Sequence, residues 1–123
     1  MKKSILGLMM KAIMLFFVAG CSPSSANPVL VNKTFVLVHG AWQAPFVWDA
    51  VKDALEKKKQ KVIIVELPAH GDDYTSPAAV SMDVYRDQVI AAIKNVKGKI
   101  VLVGHSMGGV VVTAVAEKMP EKI

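Results

Sequence analysis

A serine between glycines, placed where an apolar segment gives way to a helical pattern, is the part of the sequence most suited to chemistry. The segment Gly104-His105-Ser106-Met107-Gly108 matches the pattern G-x-S-x-G. In this context a sharp strand-to-helix turn lifts the serine hydroxyl above the edge of a sheet. Gly104 and Gly108 leave space that a Cβ atom would fill. We therefore predict that Ser106 is a nucleophile. A glycine-rich turn without chemistry is the alternative, and the flanking strand and helix patterns disfavour it.

Two backbone N–H groups near Ser106 are candidates for an oxyanion hole. Met107 opens the helical pattern, so its N–H has no helical partner and lies at the positive end of the helix dipole. A tetrahedral oxyanion needs a second donor. The N–H of Ala41 is the candidate, because Ala41 lies in the loop after the first strand pattern. Gly40 is expected to permit the backbone bend that exposes this N–H. Taken alone, the loop would be read as an ordinary strand-to-helix connection.

Three strand patterns and three helical patterns alternate along the chain. The strand patterns cover 34–38, 61–65 and 99–103, and the helical patterns cover 48–58, 81–95 and 107–118. The strand patterns are apolar without alternation, which suits a parallel sheet covered on both faces. The order predicts an α/β fold with a three-layer, doubly wound parallel sheet, in which the first strand lies between the other two. The two loops described above then meet at the carboxyl edge of the sheet, where ligands bind.

The helical patterns also predict which side chains face the sheet. The expected inward residues are Val51, Ala54 and Leu55 in the first helix, and Val84, Val89, Ile90 and Ile93 in the second. In the third helix, Gly109 is expected to allow close packing against the sheet.

Three stretches carry a family resemblance: FVLVHGAW at 35–42, LPAHGDD at 67–73 and VLVGHSMGG at 101–109. With these, residues 34–123 resemble the bacterial α/β-hydrolases that are related to plant methylesterases and hydroxynitrile lyases. The resemblance implies a serine hydrolase that acts on a small-molecule carboxylic ester through an acyl-enzyme at Ser106. It also implies Ala41 and Met107 as the oxyanion donors, and no cofactor.

The resemblance separates two reactions of that family. The hydroxynitrile lyases carry a threonine where Gly40 stands and a cysteine where Met107 stands. Ester hydrolysis is therefore favoured over cyanohydrin cleavage. Hydrolysis of a lactone or thioester, and acyl transfer, stay open as related reactions.

The sequence after Ser106 does not supply the rest of a catalytic triad. In this fold an acid and then a histidine follow the serine, yet only Glu117 and Glu121 are acidic there and no histidine follows. The three histidines are His39, His70 and His105, and none is expected to be the base. We therefore expect an N-terminal part of a hydrolase domain, truncated and inactive by itself. A non-catalytic remnant or binding protein of the same fold is the alternative.

The first 33 residues are typical of an export signal followed by a tether. Lysines precede an apolar run that ends Val18-Ala19-Gly20-Cys21, similar to the lipobox of bacterial lipoproteins. We predict a signal peptide at 1–20, lipid attachment at Cys21, a flexible tether at 21–33 and the hydrolase domain at 34–123. The protein would then be exported and lipid-anchored to the cell-envelope membrane. An ordinary signal cut after residue 26 would give a secreted or periplasmic protein instead.

The charge of the chain gives no reason to expect a nucleic-acid partner. The formal net charge is +5, and three of the 15 basic residues lie in the predicted signal. Without them 12 basic and 10 acidic residues remain, a net charge of +2. Such a balance lacks the electrostatic footprint of a nucleic-acid-binding domain. The sequence also shows no metal-ligand cluster and no phosphate-binding loop, so neither a metal nor a nucleotide cofactor is expected.

Overall fold

The computed structural model describes residues 32–123. The predicted signal peptide at 1–20, Cys21 and the tether as far as residue 31 lie outside the described residues. Within the part described, no helix has the length and apolar character needed to cross a membrane.

Strands and helices alternate as the α/β pattern predicts. The strands are β1 (Thr34–Val38), β2 (Lys61–Val65) and β3 (Ile100–Gly104). The helices are α1 (Asp49–Lys57), α2 (Met82–Ile93) and α3 (Met107–Lys118), with short 3₁₀ turns at 45–48, 77–79 and 120–122. The predicted bounds of β1, β2 and α3 match. The predicted first helix begins as a 3₁₀ turn, which Pro45 opens, and β3 lies one residue later than expected.

All three strands are parallel, in the order β2-β1-β3. Thr34 at the start of β1 is level with Lys61 and with Ile100, and Val38 at its end is level with Val65 and Gly104. The carboxyl ends of the strands therefore share one edge of the sheet, and β1 is central. The expected doubly wound α/β fold is confirmed, and the loops after β1 and β3 are neighbours.

The main hydrophobic core lies between one face of the sheet and helices α2 and α3, which pack against each other. Its fully buried members include Val36 and Val38 of β1. Leu37, also fully buried, points to the opposite face because side chains alternate along a strand. Helix α1 packs against β2 and contributes no buried residue, so Val51 and Ala54 are exposed where burial was predicted.

The buried face of α2 contains Tyr85 where Val84 was predicted. Val84 is exposed, whereas Tyr85, Val89 and Ile93 are buried. These three recur at a spacing of four, so they lie along one stripe of the helix. Helix α2 begins at Ser81, whose Oγ accepts a hydrogen bond from the Val84 N–H at 3.3 Å, and this cap fixes where the helix starts.

Candidate active site

Ser106 forms the turn between β3 and α3. Its backbone has φ 53° and ψ −120°, a left-handed conformation that a non-glycine residue adopts only at a cost of about 1–3 kcal/mol. Ser106 is the N-cap residue of α3, yet its side chain makes no capping hydrogen bond, and the residue is exposed. The hydroxyl is therefore not used in holding the helix, and it remains available to a substrate.

Gly104 and Gly108, which lie two residues on either side of Ser106, have no space for a side chain. A Cβ on Gly104 would lie within 2.6 Å of the Gly109 N atom, and one on Gly108 within 2.6 Å of the His39 carbonyl oxygen. Both distances are far below van der Waals contact, and the obstructing atoms belong to the backbone. A Cβ on Gly109 would meet nothing closer than 3.8 Å. The close approach of α3 to β1 thus occurs at Gly108, and the expectation for Gly109 was wrong.

The loop after β1 lies against this turn. A Cβ on Gly40 would be 3.1 Å from the Ser106 Cβ and 3.1 Å from the His105 carbonyl oxygen. A side chain at Gly40 would therefore be a tight fit, whereas the left-handed residue that bends the loop is Trp42, with φ 61°. Ala41 and Met107 both line one cleft beside Ser106. The structure thus brings the three predicted site residues, Ser106, Ala41 and Met107, into one region.

His39 is fully buried and connects two of the loops at the sheet edge. Its Nε2 accepts a hydrogen bond from the Leu67 N–H at 3.2 Å. Nδ1 must therefore carry the proton of the neutral ring, and it donates to the Gly40 carbonyl at 3.0 Å. The Gly40 carbonyl and the Ala41 N–H belong to the same planar peptide group. By holding the carbonyl, His39 fixes the direction of the Ala41 N–H.

The environment of His39 favours its neutral form. Burial lowers the pKa of His39 below its ordinary value of 6.5, while the hydrogen bond to Gly40 partly opposes that effect. The nearby His70 lowers the pKa further, and its ring centroid lies 5.1 Å away. A protonated ring could not accept the Leu67 N–H, so protonation costs a hydrogen bond as well as burial of a charge.

We expect acid to destabilise the whole protein through His39. Because the folded-state pKa lies below 6.5, the unfolded chain takes up this proton first as the pH falls. The stabilisation is complete above about pH 6.5 and decreases below it. The urea midpoint should therefore fall between pH 7.5 and pH 5.5, and it should fall less in His39→Asn. Val36→Ala, which weakens the core without touching the ring, should keep the wild-type pH dependence. An equal fall in His39→Asn and wild type would contradict this account.

The other two histidines also have partners away from the Ser106 hydroxyl. His70 Nδ1 donates to the Pro68 carbonyl at 2.9 Å, and its ring meets the Tyr85 ring edge-on at 5.7 Å. His105 Nδ1 is 3.0 Å from Gln43 Oε1. Among residues 32–123, no histidine forms a hydrogen bond with Ser106.

A cleft of about 520 Å³ opens beside the loop that follows β1. Most of its wall is apolar, and it is lined by Ala41, Trp42, Gln43, Ala44, Phe46, Ala69, His70, Gly71, Pro77, Val80, Tyr85 and Met107. Trp42 and Phe46 at its rim are 100% and 70% exposed. A cleft of this volume and character suits an apolar or aromatic group of modest size. Sequence reasoning missed Tyr85, although its spacing from Val89 and Ile93 was a usable signal.

Ser106 itself lines a second, shallower depression, which runs along α3. This depression is lined by Ser106, Gly109, Val110, Thr113, Ala114 and Glu117. Ser106 thus lines this depression, whereas Ala41 and Met107 line the cleft described above. Within 32–123, no group of three metal-ligating side chains comes together.

Comparison with known proteins agrees with this geometry. Residues 35–122 match the sequence model of the alpha/beta hydrolase family. The chain belongs to this family. The match includes Ser106 and the loop that contains Ala41, so the family assignment rests on the same segments that form the candidate site.

Relatives in the family include plant methylesterases and a lyase. Methylesterase 8 of Arabidopsis thaliana is 32% identical over 114 residues, which cover 90% of this chain and 41% of the relative. Methylesterase 1 of the same plant is 37% identical over 97 residues, which cover 75% of this chain and 36% of the relative. The alpha-hydroxynitrile lyase of that plant is 36% identical over 92 residues, covering 72% and 36%. This chain thus spans about two fifths of the length of the curated relatives that it matches.

Solved structures of esterases and other hydrolases have the same architecture. An extracellular alpha/beta-hydrolase from a Paenibacillus species has 34% sequence identity and a TM-score of 0.67, with 74% of this chain and 37% of that chain covered. Polyneuridine aldehyde esterase has 32% sequence identity and a TM-score of 0.71, with 76% of this chain and 38% of that chain covered. These similarities support a hydrolase fold whose relatives are mainly esterases.

Proposed function

We propose that the whole protein is a carboxylic ester hydrolase that forms an acyl-enzyme at Ser106. The observation that carries the proposal is the strained, uncapped Ser106 turn, which lies beside a cleft that includes both Ala41 and Met107. A nucleophile and two backbone donors at one place are what acyl transfer requires.

The proposed reaction begins when Ser106 Oγ attacks the ester carbonyl carbon and its proton passes to a base. The carbonyl oxygen becomes an oxyanion, which the N–H groups of Ala41 and Met107 stabilise. The C–O bond to the alcohol then breaks, the alcohol takes the proton, and the acyl group remains on Ser106. Water hydrolyses this ester in the second half of the reaction. Because none of the described histidines forms a hydrogen bond with Ser106, we place the base and its acid outside residues 32–123.

Space at Gly40 supports ester hydrolysis over cyanohydrin cleavage. A side chain at this position would begin 3.1 Å from the Ser106 Cβ, so a branched residue would crowd the nucleophile. Glycine leaves the approach to Ser106 more open than a side chain would. The apolar cleft favours an ester with an apolar or aromatic group. The direct test is turnover of such esters by the whole protein, with Ser106 intact or replaced by Ala.

We further propose that Cys21 carries the membrane anchor. The support is the sequence Val18-Ala19-Gly20-Cys21, which holds the only cysteine of the chain. Two or more acyl chains on this residue would give stable attachment. We expect Cys21→Ser to move the whole protein from the membrane fraction to the supernatant on cell fractionation. Cys21→Ser that stays with the membrane would rule out this anchor, and Ser22→Ala serves as the neighbouring control.

A further inference from the structure

Gln43 links the two loops that carry the proposed oxyanion donors. Its Oε1 accepts a hydrogen bond from the Gly40 N–H at 2.9 Å and lies 3.0 Å from His105 Nδ1. Gly40 immediately precedes Ala41, and His105 immediately precedes Ser106. One amide oxygen therefore contacts the oxyanion loop and the nucleophile turn, which come from distant parts of the sequence.

The chemistry of this contact requires an acceptor at Oε1. The Gly40 N–H can only donate, and His105 Nδ1 donates when it carries a proton. An amide or carboxylate oxygen can accept both bonds, whereas a thioether or an aliphatic side chain cannot replace it. Gly40 itself makes the contact possible, because a Cβ there would be 3.1 Å from Oε1. The side chain is partly buried, which reduces competition from water.

We propose that Gln43 is a positioning residue that sets the separation between the Ala41 N–H and the Met107 N–H. The proposal rests on the ester hydrolase function proposed above. Gln43 and His39 hold the oxyanion loop from two sides: Gln43 binds the N–H of Gly40, and His39 binds its carbonyl. The two peptide groups that flank the Gly40 Cα are thus both fixed, one by each side chain.

The expected effect is on the transition state more than on substrate binding. Oxyanion donors act when they lie about 2.7–3.1 Å from the developing negative charge, and loss of one donor costs about 10²–10³ in kcat. Loosening the loop misplaces a donor without removing it, so the effect should be smaller. The ester carbonyl of the ground state needs these donors much less. Gln43 is one of the 12 residues that line the cleft, so the other 11 remain to bind the rest of the substrate. A fall in kcat with little change in KM is the signature of such a loss.

The test compares Gln43→Met with Gln43→Glu in the whole protein. Methionine keeps the length of the side chain and lacks the acceptor, whereas glutamate keeps both bonds. We expect Gln43→Met to lower kcat about 10–100-fold, with KM within about two-fold of wild type. We expect Gln43→Glu to keep most of the wild-type kcat. The thermal unfolding midpoints of wild type, Gln43→Met and Gln43→Glu should not follow the order of their kcat values. Equal kcat in Gln43→Met and wild type overturns the proposal, and so does a loss that appears only in KM.

Two further variants keep the result interpretable. His105→Leu removes the second donor and leaves the Gln43–Gly40 bond. If Gln43 acts through both partners, the effects of Gln43→Met and His105→Leu on kcat should be clearly less than additive. Independent, additive effects would overturn the proposal, and His105→Leu alone still tests it if Gln43→Met does not fold. Ser106→Ala in the same assay separates the two ideas: if turnover survives that change, the proposed function fails before Gln43 is considered.

Discussion

Replacing Ser106 by Ala in the whole protein is expected to lower kcat for ester hydrolysis by a factor of about 10⁴–10⁶. The change removes the only atom that can form the acyl-enzyme and leaves the donors and the cleft in place. Substrate binding should therefore change little, and residual turnover above the uncatalysed rate should reflect the oxyanion hole alone. Alanine and serine both carry a Cβ and meet a similar steric cost at φ 53°, so the fold should be retained. Steady-state kinetics with apolar and aromatic esters would measure the loss.

A fluorophosphonate probe gives an independent measurement of the same change. A serine reacts with such a probe when a base activates it, so wild type should be labelled on the peptide that contains Ser106 and Ser106→Ala should not. Ser81→Ala is the matched control, because the Ser81 hydroxyl caps α2 and Ser81 is not among the residues that line the cleft. That variant should lose about 1 kcal/mol of stability and keep both turnover and labelling. Unchanged turnover in Ser106→Ala would exclude the proposed mechanism, and it would direct attention to a binding function of the same fold.

Gly108→Ala is expected to destabilise the whole protein by about 3 kcal/mol or more, enough to unfold many domains. The new Cβ would lie within 2.6 Å of the His39 carbonyl oxygen. Neither β1 nor α3 can withdraw without breaking the sheet or the Ser106 turn. Chemical denaturation monitored by circular dichroism would give the free energy of unfolding.

Gly109→Ala is the matched control for that experiment. Its Cβ would stand 3.8 Å from the nearest atom, the Gly104 carbonyl oxygen, and alanine favours a helix over glycine by about 1 kcal/mol. Gly109→Ala should therefore be as stable as wild type or more stable. The same glycine-to-alanine change at two consecutive residues of one helix thus has opposite expected signs. Similar stability of the two variants would mean that α3 can shift away from β1, contrary to the packing described.

The features predicted best from the sequence are those that depend on neighbouring residues in the chain. The turn at Ser106 and the bounds of α3 follow from a short motif, and the apolar β-branched strands follow from composition. Helix faces depend on what lies opposite, which explains why Val84 was expected inside and Tyr85 was not. Tyr85 is held there by the His70 ring, a contact between separate segments. Sequence periodicity alone does not reveal such a contact.

The contact of Gln43 with His105 shows the same limit within the site. Nothing in the sequence near Gln43 marks its amide as a partner of a histidine so far along the chain. The contact exists because the parallel register brings the end of β1 level with the end of β3. Conversely, the position of Ala41 could be predicted, because the order of strands in a doubly wound sheet already places these two loops side by side.

The central position of β1 has a consequence for how the site forms during folding. Thr34 pairs with both Lys61 and Ile100, so each ladder closes a long stretch of chain before its hydrogen bonds form. Contacts of such high sequence separation are slow to form because the entropy of loop closure is lost first. Ala41 and Met107 line the same cleft only after the second of these closures. The geometry of the proposed site is therefore a late event in folding, and it requires the register of all three described strands.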